Sequence, residues 1–141
     1  MLHKILAINP GSTSTKIAVY HSSKPVFLKN IPHTAEELRK FEKITDQHLF
    51  RKKQILNELK HSQIEIGKIE AIVARGGLLR PIKSGVYRIN DAMKRDLQEG
   101  YLGEHASNLG ALIADEIARD IPGCQAFIAD PVVVDELQEV A

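Results

Sequence analysis

An α/β fold built on a mixed five-stranded sheet, in the order β-β-β-α-β-α-β, follows from three features of the sequence. Residues 5–8 and 17–20 are short apolar runs joined by a tight polar turn, and residues 25–31 form a third such run close behind. Neighbours linked this tightly can only be antiparallel. Residues 71–74 and 126–129 are instead continuously apolar. That is the pattern of central parallel strands covered by helices. Segments of helical periodicity precede each of these two runs, and such crossovers return the chain parallel and right-handed.

The elements can be justified in turn. Ser22-Ser23-Lys24-Pro25 is turn material ahead of the third strand. Thr34 with Glu37 three residues on is a capping box that opens a short helix to about Lys40. Thr45 is the expected cap of a longer helix with Leu49, Phe50, Leu56 and Leu59 inward. Its Arg51, Lys52, Lys53, Glu58 and Lys60 are expected mostly outward, as a solvated face. Residues 76–85 read as loop, with Pro81, Arg80 and Lys83, and residues 86–89 as a short extended piece. Asn90 caps a helix with Met93 and Leu97 one turn apart. An amphipathic helix over residues 106–120 carries Leu109, Leu112, Ile113 and Ile117 on one face and stops at Pro122-Gly123. The first strand is then central, with the second and third strands on one side and the two later strands on the other. The tail, residues 132–141, has a helix-like mix with no stop signal.

Composition narrows the classes. The 141 residues, 43% hydrophobic and 26% charged, suit one ordinary globular domain with a real core. Lys and Arg total 19 against 18 Asp and Glu, so the net charge of +1 supplies no bulk field for nucleic acid or membrane. No apolar run approaches the length of a membrane span, and the N-terminus lacks the pattern of a signal peptide. A cytoplasmic location is expected. The single Cys124 excludes an internal disulfide and forms no zinc motif. The histidines His3, His21, His33, His48 and His61 show no metal-ligand spacing and are expected at the surface.

Chemistry concentrates in Asn9-Pro10-Gly11-Ser12-Thr13-Ser14-Thr15-Lys16. Gly11 leaves room for a sharp bend and a close ligand. Backbone N–H groups and the hydroxyls of Ser12, Thr13 and Ser14 can converge on one anion, with Lys16 adding charge. The P-loop does not fit, because Thr15 stands where its second Gly belongs and a strand-like run follows instead of a helix. A hairpin turn that cups phosphate remains, against a Ser/Thr-rich turn with no ligand.

Ligands of open α/β sheets sit beyond the carboxyl ends of the strands. That rule selects Asn9, Arg75 and Asp130, which end the first, fourth and fifth strands. Asn9 can bond a phosphate oxygen or a metal-bound water. Arg75 offers a planar fork to a carboxylate or phosphate. Asp130 can accept a proton, align a carboxylate or bind Mg²⁺. His105, at a helix start, is either a donor to a substrate oxygen or a capping or buried histidine.

Four stretches together carry a resemblance: residues 8–16, Ala-Arg-Gly-Gly-Leu-Leu at 74–79, Gly-Glu-His-Ala-Ser-Asn-Leu-Gly at 103–110, and Asp-Pro-Val-Val-Val-Asp-Glu-Leu at 130–137. In this order and along the whole chain they resemble the butyrate kinase family. That family is close to the acetate kinases, in the superfamily of sugar kinases, heat-shock chaperones and actin. The resemblance implies a ribonuclease-H-like, actin-like ATPase domain. It implies reversible phosphorylation of a short-chain carboxylate, with ATP and Mg²⁺, to an acyl phosphate. It places Asn9 and Lys16 against Mg²⁺ and ATP phosphate, makes Arg75 the carboxylate-binding arginine, and gives Asp130 an acid/base or aligning role. Asn9 stands where many superfamily members carry Asp, a change the acid kinases share.

The same resemblance implies a longer, two-domain parent, of which residues 1–141 are the N-terminal domain, inactive by themselves. The adenosine pocket would lie outside this stretch. The expected partners are a small carboxylate and ATP, with no nucleic acid or membrane and a homo-oligomeric parent. The competing readings are a kinase for acetate or a branched-chain acid, and a non-catalytic phosphate- or nucleotide-binding module. Arg75 paired with Asp130 favours the kinase, since a pure binder needs no carboxylate fork opposite a strand-end Asp.

Overall fold

The computed structural model describes residues 3–75, 86–99 and 109–129. The three opening strands are β1 (Lys4–Pro10), β2 (Ser14–His21) and β3 (Lys24–Pro32). They form the expected antiparallel meander, from Lys4 opposite His21 to Pro10 opposite Thr15, and from Ser14 opposite Pro32 to His21 opposite Lys24. A register shift falls between Val19 and Tyr20. Strands β4 (Ala71–Arg75) and β6 (Gln125–Ala129) are parallel to β1 and to each other, as their unbroken apolar runs require.

The extended piece after the 76–85 segment does more than the sequence reading gave it. Val86–Arg88 is strand β5, antiparallel to β6 at the sheet edge, with Tyr87 opposite Ile128. The sheet therefore has six strands in the order β3-β2-β1-β4-β6-β5, the five expected in their expected places and one added. At three residues β5 is too short to show an alternating pattern, and only pairing with β6 makes it a strand.

Helix α1 (Ala35–Leu38) opens on the capping box: Glu37 N–H donates to Thr34 Oγ1 at 3.1 Å, and Thr34 N–H to Glu37 Oε1 at 2.9 Å. Thr45 is not a helix cap. It is buried inside a 3₁₀ turn (Ile44–Gln47), closed by Lys43 N–H donating to Asp46 Oδ2 at 3.1 Å, and α2 (His48–His61) begins only after it. Helix α3 (Asp91–Glu99) takes the predicted cap, Met93 N–H donating to Asn90 Oδ1 at 2.8 Å. Helix α4 (Leu109–Arg119) buries Leu109, Leu112, Ile113 and Ile117 as expected. Residues 106–108 and the 132–141 tail lie outside the described residues. Gly123, at φ +79°, takes the left-handed conformation that turns the chain into β6.

One face of the sheet is the core. Leu6, Ile8, Ile17, Val19, Ile72 and Ala74 pack with Ile55 and Leu59 of α2 and with Leu109, Ile113 and Ile117 of α4. Helix α3 meets the same face through Met93, beside Ala111 and Ile128. The phase of α2 differs from its sequence reading. Its buried stripe is Arg51, Ile55 and Leu59, at i, i+4 and i+8, while Leu49 is 61% exposed. Arg51, expected outward, is fully buried, because the carbonyls of the Gly11 turn and Gln47 give its donors the partners that water would otherwise supply. On the opposite face Ile5, Ala7, Ala71, Val73 and Phe127 are half-buried, and the face's carboxyl end is polar. Among the described residues no helix is long and apolar enough to cross a membrane.

Candidate functional site at the strand ends

The sheet register brings three of the expected site residues together. Asn9 stands directly opposite Lys16 across β1 and β2, and Lys16 opposite Asn30 across β2 and β3. In β4, Ala74 pairs with Ile8, so Arg75 is one step on, beside Asn9. Paired residues share a face and alternate residues change face. Since Ile8 and Ala74 point into the core, Asn9, Lys16 and Arg75 all fall on the other face. Asn9 and Arg75 are half-buried and Lys16 is exposed. Arg75 in turn pairs with Ala129, the residue before Asp130. Asp130 and His105 lie outside the described residues.

The turn between β1 and β2 is closed by Gly11 N–H donating to the Ser14 carbonyl at 2.7 Å. Neither crowding nor unusual backbone demands glycine at position 11. A Cβ there would lie 3.4 Å from Ser14 O, an ordinary contact, and its φ is not left-handed. Ser12 and Thr13 are exposed at the tip, and Ser14 is half-buried.

Behind the turn stands Arg51, 0% exposed. Its Nη1 donates to Gly11 O at 2.7 Å, Ser14 O at 3.1 Å and Thr15 Oγ1 at 3.2 Å. Its Nη2 donates to Ser12 O at 3.3 Å and Gln47 Oε1 at 2.8 Å, and Nε to the same Gln47 oxygen at 3.0 Å. Burial lowers its pKa to about 10, which still leaves it a cation at neutral pH.

Thr15 is fully buried beside it and bonds His33 Nε2 at 2.8 Å. The Thr15 hydroxyl thus joins two side chains, accepting from Arg51 Nη1 and sharing a hydrogen bond with His33 Nε2. His33, expected at the surface, is 5% exposed and meets Phe50 edge-on at 5.4 Å between ring centres. The β3 strand runs past the turn, with His33 N–H donating to Thr13 O at 2.8 Å, and this packs the ring beneath it. Burial, and then the charge of Arg51, hold the imidazole below its ordinary pKa, against a smaller opposing pull from Glu37.

Helix α4 is fitted to the same edge. A Cβ on Gly110 would stand 3.1 Å from Ala74 Cβ, 3.1 Å from Arg75 O and 3.5 Å from Pro10 Cδ. A Cβ there would force its neighbours to give by a few tenths of an ångström, so glycine lets α4 pack close against the ends of β1 and β4. Sequence reasoning missed Arg51, Gln47, Thr15 and His33. The spacing Gln47, Arg51, Ile55, Leu59 was the available signal, since it continues a buried stripe four residues at a time.

No family model matches the chain. Two curated relatives are 53% identical: butyrate kinase 1 of Clostridium acetobutylicum over 140 residues, and a probable butyrate kinase of Bacteroides thetaiotaomicron over 138. The alignments cover 99% and 98% of this chain but 39% and 38% of those proteins. Among solved structures, acetate kinase from Entamoeba histolytica matches with a TM-score of 0.53 at 18% identity, covering 90% of this chain and 34% of that one. T. thermophilus RuvC, solved in complex with a Holliday junction substrate, matches with a TM-score of 0.52 at 14% identity, covering 95% of this chain and 68% of that one. These structural likenesses fix the fold as ribonuclease-H-like. Over nearly every residue it has, the chain is a homologue of the butyrate kinases, and it spans about two fifths of their length.

Proposed function

We propose that this chain is the N-terminal domain of a carboxylate kinase that converts ATP and butyrate reversibly to ADP and butyryl phosphate. The observation that carries the reading is the 53% identity to butyrate kinases along 99% of the chain. The line of Asn9, Lys16 and Arg75 beside an anion-suited turn is consistent with it. Residues 1–141 would supply phosphate and carboxylate contacts, with adenosine held elsewhere in the full-length protein.

The residues at hand fit a polyphosphate. The turn tip exposes backbone and hydroxyl donors, Lys16 is an exposed cation on the phosphate side, and Arg51 adds a second charge from behind. Mg²⁺ would be held by Asn9 and Asp130. Asn9 offers one neutral oxygen, which suits an ion held chiefly by phosphate oxygens and water. When bound, the ion neutralises charge on the phosphate oxygens.

Arg75 holds the carboxylate by its planar fork. The Gly11–Lys16 turn fixes the phosphates, and Asn9, between the two, keeps donor and acceptor in line. Catalysis of this kind is mostly positioning and electrostatics. The carboxylate is ionised at neutral pH, so the reaction needs no strong general base, and Asp130 takes an aligning or metal-linked role. His105 donates to a substrate oxygen. The partners are small molecules, and a cytoplasmic homo-oligomer is the setting we infer for the full-length protein.

The test is an acyl-kinase assay of the full-length protein over acetate, butyrate and isobutyrate, trapping the acyl phosphate with hydroxylamine. Hydroxamate formation fastest with butyrate is expected. Its absence with every acid would overturn the reading.

A further inference from the structure

We propose that Arg51 is a positioning residue that builds and charges the phosphate turn from behind, so that the turn is an anion cradle before any ligand arrives. The inference rests on reading the Gly11–Lys16 turn as phosphate-binding, and it names the group that makes it so.

The first argument is geometric. Gly11 O, Ser12 O and Ser14 O all accept from one guanidinium. In a trans peptide the carbonyl and the following N–H point in opposite directions. Drawing the Gly11 and Ser12 carbonyls inward therefore turns the N–H groups of Ser12 and Thr13 outward. Both residues are exposed at the tip, and among the described residues neither N–H has a hydrogen-bond partner. Two adjacent outward N–H groups backed by a cation form the donor side of an anion site. Hairpin turn propensity alone does not demand this, since a turn is equally served by its own Gly11-to-Ser14 bond.

The second argument is electrostatic. A fully buried charge is costly and is ordinarily offset by an opposite one. All five acceptors around Arg51 are uncharged: three carbonyls, the Thr15 hydroxyl and the Gln47 amide oxygen. Among the described residues no carboxylate pairs with it. His33, the remaining titratable neighbour, is kept neutral. A polyphosphate on the outward N–H groups would balance this charge from across the turn. Gln47, one helical turn before Arg51, accepts from both Nε and Nη2 and so fixes the plane of the fork.

The test uses the full-length protein, with inorganic tripolyphosphate and ATP as separate probes. In Arg51→Lys the charge stays but the fork is lost, and an ammonium cannot reach Gln47 and three carbonyls together. Tripolyphosphate affinity should fall by about tenfold to a hundredfold, as for loss of hydrogen bonds to a charged group. The ATP KM should rise in parallel, with the butyrate KM unchanged. Lys53→Ala, which removes an exposed charge from the same helix, should alter neither.

A folded Arg51→Lys that binds tripolyphosphate within twofold of the parent protein would overturn the inference. So would a parent protein that does not bind tripolyphosphate at all. If Arg51 variants do not fold, the Nε–H resonance of Arg51 in ¹⁵N-arginine-labelled parent protein decides: it should shift on saturation with tripolyphosphate, and no shift overturns the proposal. Tripolyphosphate binding that depends on Arg51, without phosphorylation of acetate, butyrate or isobutyrate, would sink the kinase reading and leave this one standing.

Discussion

Gly110 sits so close to the carbonyl of Arg75 that a Cβ at position 110 would stand 3.1 Å from that oxygen. Helix α4 and the end of β4 are fitted together there without a side chain between them. The Arg75 backbone is held in the sheet by β6, so it cannot retreat freely.

Gly110→Ala is therefore expected to destabilise the full-length protein by about 1 kcal/mol. Overpacking costs about 1–3 kcal/mol, offset in part by the better helix propensity of alanine. Gly110→Val should cost more and raise the carboxylate KM, because displacement of Arg75 moves the fork. Thermal unfolding and steady-state kinetics check both. A Gly110→Val protein as stable and active as its parent would show that the contact is not tight.

Arg75 and Lys16 should separate in kinetics. Arg75→Ala removes a charge-assisted fork, a loss of about 2–4 kcal/mol in kcat/KM. The loss belongs in the carboxylate KM and kcat, with the ATP KM nearly unchanged. Lys16→Ala should raise the ATP KM first, and Arg75→Lys should recover little. Titrating each substrate separately for each variant makes the distinction. A rise in the ATP KM alone on losing Arg75 would reverse the assignment of the cleft.

His33 gives the fold a pH dependence of known sign. Its folded pKa lies below the ordinary value of 6.5, through burial first and the Arg51 charge second, with Glu37 opposing. As pH falls, the unfolded chain takes the proton first. Stability from this group is present in full above the unfolded pKa and is lost as pH falls from there through the folded value. Melting temperatures of the parent protein and His33→Gln between about pH 7.5 and 5 isolate the contribution. The variant should lose less over that range; identical slopes would assign the dependence to other groups.

The phase of α2 can be tested without reference to function. Ile55→Ala should cost about 2–5 kcal/mol, as a fully buried isoleucine truncated beside Leu59 and the sheet. Leu49→Gln, at a position 61% exposed, should stay within about 0.5 kcal/mol of the parent. Denaturant unfolding of the pair distinguishes this phase from one in which Leu49 faces the core.

Local periodicity by itself determined most of the architecture. The meander followed from short turns between apolar runs, and the two parallel strands from unbroken apolarity in residues 71–74 and 126–129. The caps at Thr34 and Asn90 are contacts over three residues and need no distant partner. Asn9 and Arg75 were legible because strand ends in a parallel sheet converge by topology. The sequence could not decide what lay behind the turn. Arg51 reads as a surface charge in any window of α2, and it is buried only because Gly11, forty residues away in the chain, turns its carbonyl toward it. Thr15 and His33 are likewise joined across 18 residues of chain, through pairing of β2 with β3. Val86–Arg88 became a strand only because β6 offered an open edge. A polar group's burial depends on whether the folded chain satisfies its hydrogen bonds, and that is settled by tertiary structure alone.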